Sequence, residues 1–229
     1  DAEASLYADR ATDTELLLGP KYALLRNEFW PWRAPRRVPR NEARRVLVTL
    51  GGADPDNITR RTVDALGQMS AENVHVTVVV GGSNPHEDEI RGAAEATDIS
   101  MEVLCNVDDM ASLMAKSDMA LSAGGSTCWE LAFMGVPNII FVLADNQRGI
   151  AEGLDEAETA INLGWHESVN TSAIVDAAES LFRNNDQRLE MARRAQTLVD
   201  GEGTRRVLKK TQTAYVSTIL TTEHTPKQP

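Results

Sequence analysis

The sequence predicts an α/β domain built on a parallel sheet. From Val46 onward, short apolar runs rich in β-branched residues alternate with segments of helical period, which is typical of consecutive βαβ units. The apolar runs are nearly continuous, so helices are expected on both faces of the sheet. Paired glycines follow three of the runs, where a strand turns into the next helix. These observations indicate a Rossmann-like domain over residues 46–165.

The strands and helices of this domain are expected to alternate along the chain. Each strand is assigned to an apolar run, at residues 46–50, 74–80, 101–104, 119–122, 138–142 and 160–162. The helices between them are expected at residues 56–69, 85–96, 108–117, 127–134 and 146–158. After Trp165 the alternation ends, and a helical extension over 166–229 is predicted, with helices at 171–182, 187–199 and 204–220 and a frayed tail.

Residues 1–45 have a different composition and are interpreted as the end of a preceding domain and a connector. Prolines and tryptophans stand among arginines here, which is typical of an extended chain. The residues are Trp30, Pro31, Trp32, Pro35 and Pro39, with Arg33, Arg36, Arg37, Arg40, Arg44 and Arg45. Their positive charge favours an acidic neighbour, but a solvated linker is the preferred interpretation, because charge runs are usually solvated.

Composition excludes several classes of function. The 229 residues include 23 Lys and Arg against 34 Asp and Glu, and the formal charge of −11 opposes a polyanion, so no nucleic-acid partner is expected. No apolar run approaches the ~20 residues of a membrane span, and no secretory signal is visible. Two cysteines, Cys105 and Cys128, form neither a disulfide framework nor a zinc motif, which fits a reducing cytoplasm. Motifs for metals, P-loops and serine hydrolases are missing, so no metal or cofactor is expected.

Two glycine pairs at the ends of predicted strands mark the candidate site. Gly51 and Gly52 follow the first strand, and Gly124 and Gly125 follow the fourth. Glycines let a ligand approach the main chain closely, and the helix that begins next directs free N–H groups at it. Because ligands of open α/β sheets bind outside the carboxyl ends of the strands, both pairs are expected to border one crevice that holds a diphosphate.

The turn after the second strand repeats the turn after the first. Gly81 and Gly82 stand where Gly51 and Gly52 stand in the first copy, and Asp or Asn followed by Pro comes two residues later. The Asp or Asn is expected to cap the next helix, and the Pro to occupy its first position. Turn chemistry shared by βα units is the preferred interpretation of the second copy.

Polar residues near the crevice have two interpretations each. Thr127 and Glu130 have the spacing of a capping box, in which Glu130 binds the main chain of Thr127. Alternatively, the Glu130 carboxylate accepts hydrogen bonds from the two hydroxyls of a ribose, and the spacing favours neither. Asp145, Asn146 and Gln147 follow the fifth strand and point into the same crevice, although an ordinary helix cap is favoured for them.

Several motifs occur together in this chain. They are 16–26 (LLLGPKYALLR), 51–54 (GGAD), 122–127 (SAGGST) with 129–130 (WE), 135–137 (GVP) and 145–147 (DNQ). In combination they resemble the UDP-sugar hydrolase of pseudaminic acid biosynthesis. That family is similar in turn to the peptidoglycan N-acetylglucosaminyltransferase and shares its two-domain GT-B architecture. The resemblance covers residues 16–154 and implies that this chain is the C-terminal, UDP-binding half.

The resemblance assigns four parts of the ligand to residues of this chain. It implies that the diphosphate is held by Gly51, Gly52, Gly124, Gly125, Ser126 and Thr127. It also implies that Glu130 binds the ribose, that the main chain near Asn106 and Val107 reads uracil with Met110 packed on it, and that Asn146 and Gln147 face the sugar.

In that family, water attacks the anomeric carbon and releases UDP from a UDP-linked diacetamido trideoxy sugar, without a metal. The water is activated by a His in a Gly-rich loop of the N-terminal domain, and no His of this chain lies in such a loop. The chain is therefore expected to bind UDP or a UDP-amino sugar without turnover, with the missing N-terminal domain as its partner. Two alternatives stay open: a UDP-dependent GT-B glycosyltransferase domain and a non-catalytic nucleotide-sensing module.

Overall fold

A six-stranded parallel sheet forms the centre of the molecule in a computed structural model that describes residues 7–12, 14–34 and 36–222. The strands are β1 (Arg45–Thr49), β2 (His75–Val80), β3 (Ser100–Cys105), β4 (Met119–Ala123), β5 (Asn138–Val142) and β6 (Ala160–Trp165). They lie in the order β3-β2-β1-β4-β5-β6, and every neighbouring pair is parallel. The predicted Rossmann-like α/β fold is confirmed.

Helices cover the sheet on both sides. They are α1 (Ile58–Leu66), α2 (Glu87–Glu95), α3 (Met110–Lys116), α4 (Thr127–Met134), α5 (Arg148–Glu156), α6 (Thr171–Arg183), α7 (Asn185–Leu198) and α8 (Gly203–Thr222). Short 3-10 helices lie at Pro20–Tyr22, Asn27–Arg33, Asp145–Gln147 and His166–Ser168. Each predicted helix is present with its ends shifted by at most a few residues. The predicted frayed tail lies outside the described residues from position 223 onward.

Alternate residues of the strands are buried on opposite faces of the sheet. Val46 and Val48 of β1 pack in the core formed with α1, α2 and α6, whereas Leu47 packs in the core formed with α3, α4 and α7. This two-sided burial is the physical reason for the nearly continuous apolar runs in the sequence.

The strand order reverses between β1 and β4. The chain runs outward from β1 through β2 to β3, and then returns to the other side of β1. The helix that follows β1 packs on one face of the sheet, and the helix that follows β4 packs on the other. A crevice therefore opens between the carboxyl ends of these two strands, where ligands of such sheets bind.

The connector is folded against the domain, so the prediction of a solvated, extended linker is wrong. The 3-10 helix Asn27–Arg33 places Phe29 fully inside the core. The Phe29 ring meets the ring of Phe133 in α4 edge-on, with 6.4 Å between the centroids. The connector therefore contributes apolar surface to the core and is part of the folded unit.

Arginines of the connector bind the carboxyl ends of helices. Arg37 is almost fully buried, with 6% of its side chain exposed, and burial lowers its pKa to about 10. It donates to the carbonyls of Ala115 at 3.1 Å, Gly135 at 2.9 Å and Ser117, at the ends of α3 and α4. Arg33 and Arg36 donate in the same way to carbonyls near and beyond the end of α7. Carbonyls at the end of a helix have no partner within that helix, and a cation there also interacts favourably with the negative end of the helix dipole.

The turn before α1 confirms one predicted cap and corrects the role of the prolines. The Asp54 carboxylate accepts hydrogen bonds from the first two N–H groups of α1, at 2.9 and 2.8 Å. Asn84, its counterpart before α2, instead accepts from the N–H of the residue that precedes that helix. Pro55 and Pro85 both lie in the turns before the helices rather than at a first helical position.

The C-terminal helices pack back onto the domain. Helix α6 lies against α1, α7 against α4, and α8 against the 3-10 helix Pro20–Tyr22. Arg188 of α7 is buried and donates to the carbonyl of Asn41 at 2.7 Å, which ties the extension to the connector. In the part of the chain that the structure describes, no helix combines the length and apolar character needed to cross a bilayer.

Candidate functional site

A cavity of about 420 Å³ lies at the carboxyl ends of β1 and β4. We call it the switch-point cavity. Of the residues that the sequence assigned to the ligand, it is lined by Gly51, Gly52, Asn106, Val107, Met110, Ser126, Thr127 and Glu130. Residues that the sequence did not assign also line it, namely Leu24, Arg26, Thr49, Val79, Val80 and Gly81.

Glycines shape one wall of the switch-point cavity. Gly51 has a φ of 99°, a left-handed conformation that other residues rarely adopt. A Cβ at Gly81 would lie 2.4 Å from the Cα and the carbonyl oxygen of Gly52, so the turns after β1 and β2 pack main chain against main chain. Shared turn chemistry alone therefore does not account for the second glycine pair, since Gly81 is also needed for this close approach.

The amino end of α4 differs from that of α1. The Asp54 carboxylate already occupies the first N–H groups of α1. Ser126 precedes α4 and makes no side-chain capping hydrogen bond. Within the described residues, the main-chain N–H groups of Ser126 and Thr127 have no hydrogen-bond partner, whereas those of the next two residues bond to carbonyls. Since helix amino ends attract anions, α4 is the one of these two helices that can receive a phosphate group.

Glu130 is buried at the edge of the cavity and pairs with Arg26 of the connector. Arg26 Nε donates to Glu130 Oε1 at 2.7 Å, and Nη2 donates to Oε2 at 3.0 Å. This hydrogen bond is the largest cause of the raised pKa of Arg26, and the nearby carboxylates of Glu130 and Glu28 raise it further. Of the two interpretations of Glu130, the capping box is therefore wrong, because the carboxylate turns to a guanidinium instead of to the main chain of Thr127.

The pairing with Arg26 leaves Glu130 with acceptor capacity. An ionised carboxylate offers about four lone-pair sites, and the two Arg26 hydrogen bonds use two of them. The carboxylate can therefore still accept hydrogen bonds from two hydroxyl groups of a bound ligand. The guanidinium also fixes the carboxylate in one orientation.

The wall opposite α4 is formed by the segment after β3. Asn106 has a φ of 50°, and its N–H donates to the carbonyl of Val80 at 3.3 Å. A Cβ at Gly82 would lie 2.2 Å from Asn106 Oδ1, so the Asn106 side chain packs directly on that glycine. Val107 and the buried Met110 complete this wall. Main-chain groups and an apolar side chain thus face the cavity here.

Four predicted ligand residues lie outside the lining of the switch-point cavity. They are Gly124, Gly125, Asn146 and Gln147. A Cβ at Gly124 would lie 3.1 Å from Gln147, so these two segments pack together beside the amino end of α4. Gln147 Oε1 accepts from the N–H of Leu143 at 2.9 Å, and Asn146 is exposed. The favoured interpretation of 145–147 as a side-chain helix cap is wrong, because neither the 3-10 helix nor α5 has one.

A second cavity, of about 660 Å³, adjoins the first and had no assigned role in the sequence. We call it the α4–α5 cavity. Its large side chains are Leu17, Leu18, Tyr22, Leu24, Trp129, Ile150, Leu154 and Leu198. The apolar run 16–18 and Trp129 were visible in the sequence, but their meeting with α5 and α7 depends on long-range folding.

Neither cysteine is arranged as a reactive group. Cys128 lies on the buried side of α4 and donates to the carbonyl of Ala123 at 3.2 Å, and burial raises the pKa of its thiol to about 11. The pKa of Cys105 is also raised, with desolvation as the largest cause. Over the described residues, no group of three His, Cys, Asp or Glu side chains is placed to hold a metal ion.

Comparison with known proteins identifies the domain type. The model of the glycosyltransferase family 28 C-terminal domain matches residues 45–207, which includes the whole sheet and helices α1 to α7. The fold is similar to that in the crystal structure of MurG from Acinetobacter baumannii, with a TM-score of 0.70 at 18% identity. That match covers 89% of this chain and 57% of the MurG chain.

Two curated relatives are similar over most of this chain. The spore coat polysaccharide biosynthesis protein SpsG of Bacillus subtilis is 27% identical over 204 residues, covering 89% of this chain and 60% of its own length. A UDP-N-acetylglucosamine–N-acetylmuramyl-(pentapeptide) pyrophosphoryl-undecaprenol N-acetylglucosamine transferase of Hahella chejuensis is 24% identical over 190 residues. The latter match covers 81% of this chain and 52% of the transferase. The chain therefore spans a little over half the length of these relatives.

Proposed function

The chain belongs to the glycosyltransferase family 28 C-terminal domain family, and we propose that it binds the UDP part of a nucleotide sugar in the switch-point cavity. One observation carries this proposal. The unpartnered N–H groups of Ser126 and Thr127 lie at a helix amino end that faces a cavity bordered by glycines. In a chain of net charge −11, such local groups are the means by which a diphosphate is held.

The remaining parts of UDP follow from the walls of the cavity. The ribose hydroxyls donate to Glu130, whose carboxylate is held by Arg26. Uracil lies against Met110, with the main chain of Asn106 and Val107 at its polar edge. The sugar leaves the cavity near Gly124 and Gly125, toward Asn146 and Gln147. Each of these roles is part of the proposal.

For the longer protein, we propose a hydrolase that releases UDP from a UDP-amino sugar by attack of water on the anomeric carbon. The group that activates the water is supplied by another domain, since this chain contributes only binding residues. A glycosyltransferase, in which a hydroxyl attacks instead, is the second candidate. It is favoured by the family's description and by the transferase among the relatives.

A calorimetric titration of this chain tests the binding proposal. UDP is expected to bind, uridine to bind more weakly, and CMP and AMP to bind much more weakly. At 100 times its dissociation constant, UDP should raise the free energy of unfolding by about 2.7 kcal/mol. Equal affinity for UDP, CMP and AMP, or no heat and no thermal shift with UDP, would remove the basis of the proposal. Release of UDP by the full-length protein, with and without added hydroxyl acceptors, separates hydrolase from transferase.

A further inference from the structure

We propose that the α4–α5 cavity is a second subsite, which receives an aliphatic chain of a ligand whose polar part sits at the amino end of α4. The inference rests on the proposed function, because the position of the diphosphate defines where that polar part lies. The chain is carried either by the sugar of the nucleotide or by the molecule that reacts with it, and the same apolar chemistry recognises both.

The two cavities are continuous at the amino end of α4. Ser126 and Leu24 line both of them. Within the first turn of α4, Thr127 and Glu130 are three residues apart and line the switch-point cavity, whereas Trp129 lines the α4–α5 cavity. The first turn of this helix therefore has a polar side for the nucleotide and an adjoining apolar side.

The lining of the α4–α5 cavity is suited to hydrocarbon. None of the described residues that line it is charged, and Tyr22 and Ser126 are the two that carry a side-chain hydroxyl. Trp129 and Ile150 face it from α4 and α5, and neither is fully buried. Leu24, at the junction of the two cavities, is 65% exposed. Apolar surface of this extent beside a polar site is typical of ligand pockets.

The size and the apolar lining of the α4–α5 cavity together favour a hydrocarbon chain over a bare sugar. Its volume is about 660 Å³, against about 420 Å³ for the cavity assigned to a nucleoside diphosphate. A hexose is smaller than a nucleotide and has hydroxyl groups on every side, which an uncharged apolar wall does not satisfy. A chain of several methylenes buries its surface against such a wall, and each buried methylene raises affinity by about fourfold.

Two ligand series test the subsite and distinguish which molecule carries the aliphatic chain. Hexyl, heptyl and octyl β-glucosides, below their micellar concentrations, are titrated into the chain with and without saturating UDP. UDP-glucosamines with acetyl, butanoyl and hexanoyl groups on the nitrogen are titrated separately. Affinity is expected to rise about fourfold per methylene in one series, which identifies whether acceptor or donor carries the chain. The same affinity at every chain length in both series overturns the proposal.

A cavity-filling variant locates the binding. Gly153 of α5 lines the cavity and a Cβ there meets nothing within 4 Å, so Gly153→Leu is the substitution chosen to fill part of the cavity. Gly92→Leu is the matched control, because Gly92 lies in α2, has equally open surroundings and is outside the cavity. The dependence on chain length should disappear in Gly153→Leu and persist in Gly92→Leu, with thermal unfolding confirming that both variants are folded.

The outcomes separate this inference from the proposed function. Persistence of the chain-length dependence in Gly153→Leu overturns the inference, because the chain then binds elsewhere. If UDP binds but affinity does not change with chain length in either ligand series, the inference is overturned and the proposed function remains intact. Chain-length dependence that is lost in Gly153→Leu, in a protein that does not bind UDP, supports the subsite and contradicts the proposed function.

Discussion

Glu130 shows how a single side chain acquires its role from a partner far away in the sequence. Its spacing from Thr127 is that of a capping box, yet Arg26, 104 residues earlier, holds both carboxylate oxygens. The guanidinium carries a full charge and donates two parallel hydrogen bonds to the carboxylate, whereas a main-chain N–H is uncharged and donates one, so the guanidinium prevails. The result is a buried, oriented carboxylate at the edge of the switch-point cavity.

Replacing Glu130 by Gln tests the proposed contact with the ribose. The variant loses the charge and one of two acceptor oxygens. Because hydrogen bonds to charged groups contribute about 1.5–3 kcal/mol, UDP affinity should fall by about tenfold or more. The loss should be smaller for 2′-deoxy-UDP, which has one hydroxyl fewer, and calorimetry measures both.

Glu28→Gln is the control for this substitution. Glu28 lies 3.2 Å from Arg26 but is not part of the cavity lining, so UDP affinity should be unchanged. Equal losses for UDP and 2′-deoxy-UDP in Glu130→Gln would contradict a ribose contact and assign Glu130 to holding Arg26.

At the scale of elements, the local sequence pattern predicted the strands, helices and turns, whose formation depends on local interactions. The six strands and the helices follow from apolar runs and helical period, and the glycine turns follow from the backbone conformations that they require. The connector was mispredicted, because the acceptors of Arg37 lie 78 to 98 residues further along the chain. The roles of Arg26 and of the α4–α5 cavity were not predicted either, because they also depend on contacts between residues far apart in the sequence. Sequence spacing carries no signal for a cation that binds the end of a distant helix.

Arg37→Met tests whether the connector is part of the folded unit. Three carbonyls would lose their donor, and each unsatisfied buried group costs about 1–3 kcal/mol, so we expect a loss of about 3 kcal/mol in unfolding free energy. Urea denaturation measures it. Arg44→Met is the control, since Arg44 is 65% exposed and pairs with an exposed glutamate, and it should change stability by less than about 0.5 kcal/mol. Equal effects of the two substitutions would show that the Arg37 contacts contribute nothing.

Helix α4 offers a test of the diphosphate site that separates stability from binding. Ser126→Asp places a carboxylate beside the unpartnered N–H groups, which stabilises a helix by about 0.3–1 kcal/mol. The same charge repels a diphosphate, so UDP affinity should fall by about tenfold or more while uridine affinity changes little.

Ser126→Ala is the matched variant at this position. The Ser126 side chain makes no capping hydrogen bond, so its removal should leave both stability and UDP affinity close to the wild type. Differential scanning calorimetry and titration measure the two quantities. Undiminished UDP affinity in Ser126→Asp would place the phosphates elsewhere.

At the scale of the whole molecule, the negative net charge disfavours the anionic ligand that the site is proposed to bind. The net charge of −11 repels a nucleoside diphosphate at long range, whereas the groups proposed to hold it are neutral amides of the main chain. Binding must therefore come from short-range hydrogen bonds inside the cavity. This distinguishes the domain from proteins that collect phosphates with a basic surface.

The salt dependence of UDP affinity distinguishes binding by main-chain amides from binding by a basic surface. Salt screens the long-range repulsion over a Debye length of ~10 Å at 0.1 M, but it affects close contacts in a cavity much less. UDP affinity should therefore stay constant or rise slightly as KCl is increased from about 0.05 to 0.5 M, in contrast to the steep fall expected for a basic site. Calorimetric titrations at several salt concentrations measure the slope, with uridine as the uncharged control. A fall of more than about tenfold for UDP alone would mean that a cation binds the diphosphate. Among the described residues that line the cavity, Arg26 carries the positive charge, and it would have to be released from Glu130 to bind the diphosphate.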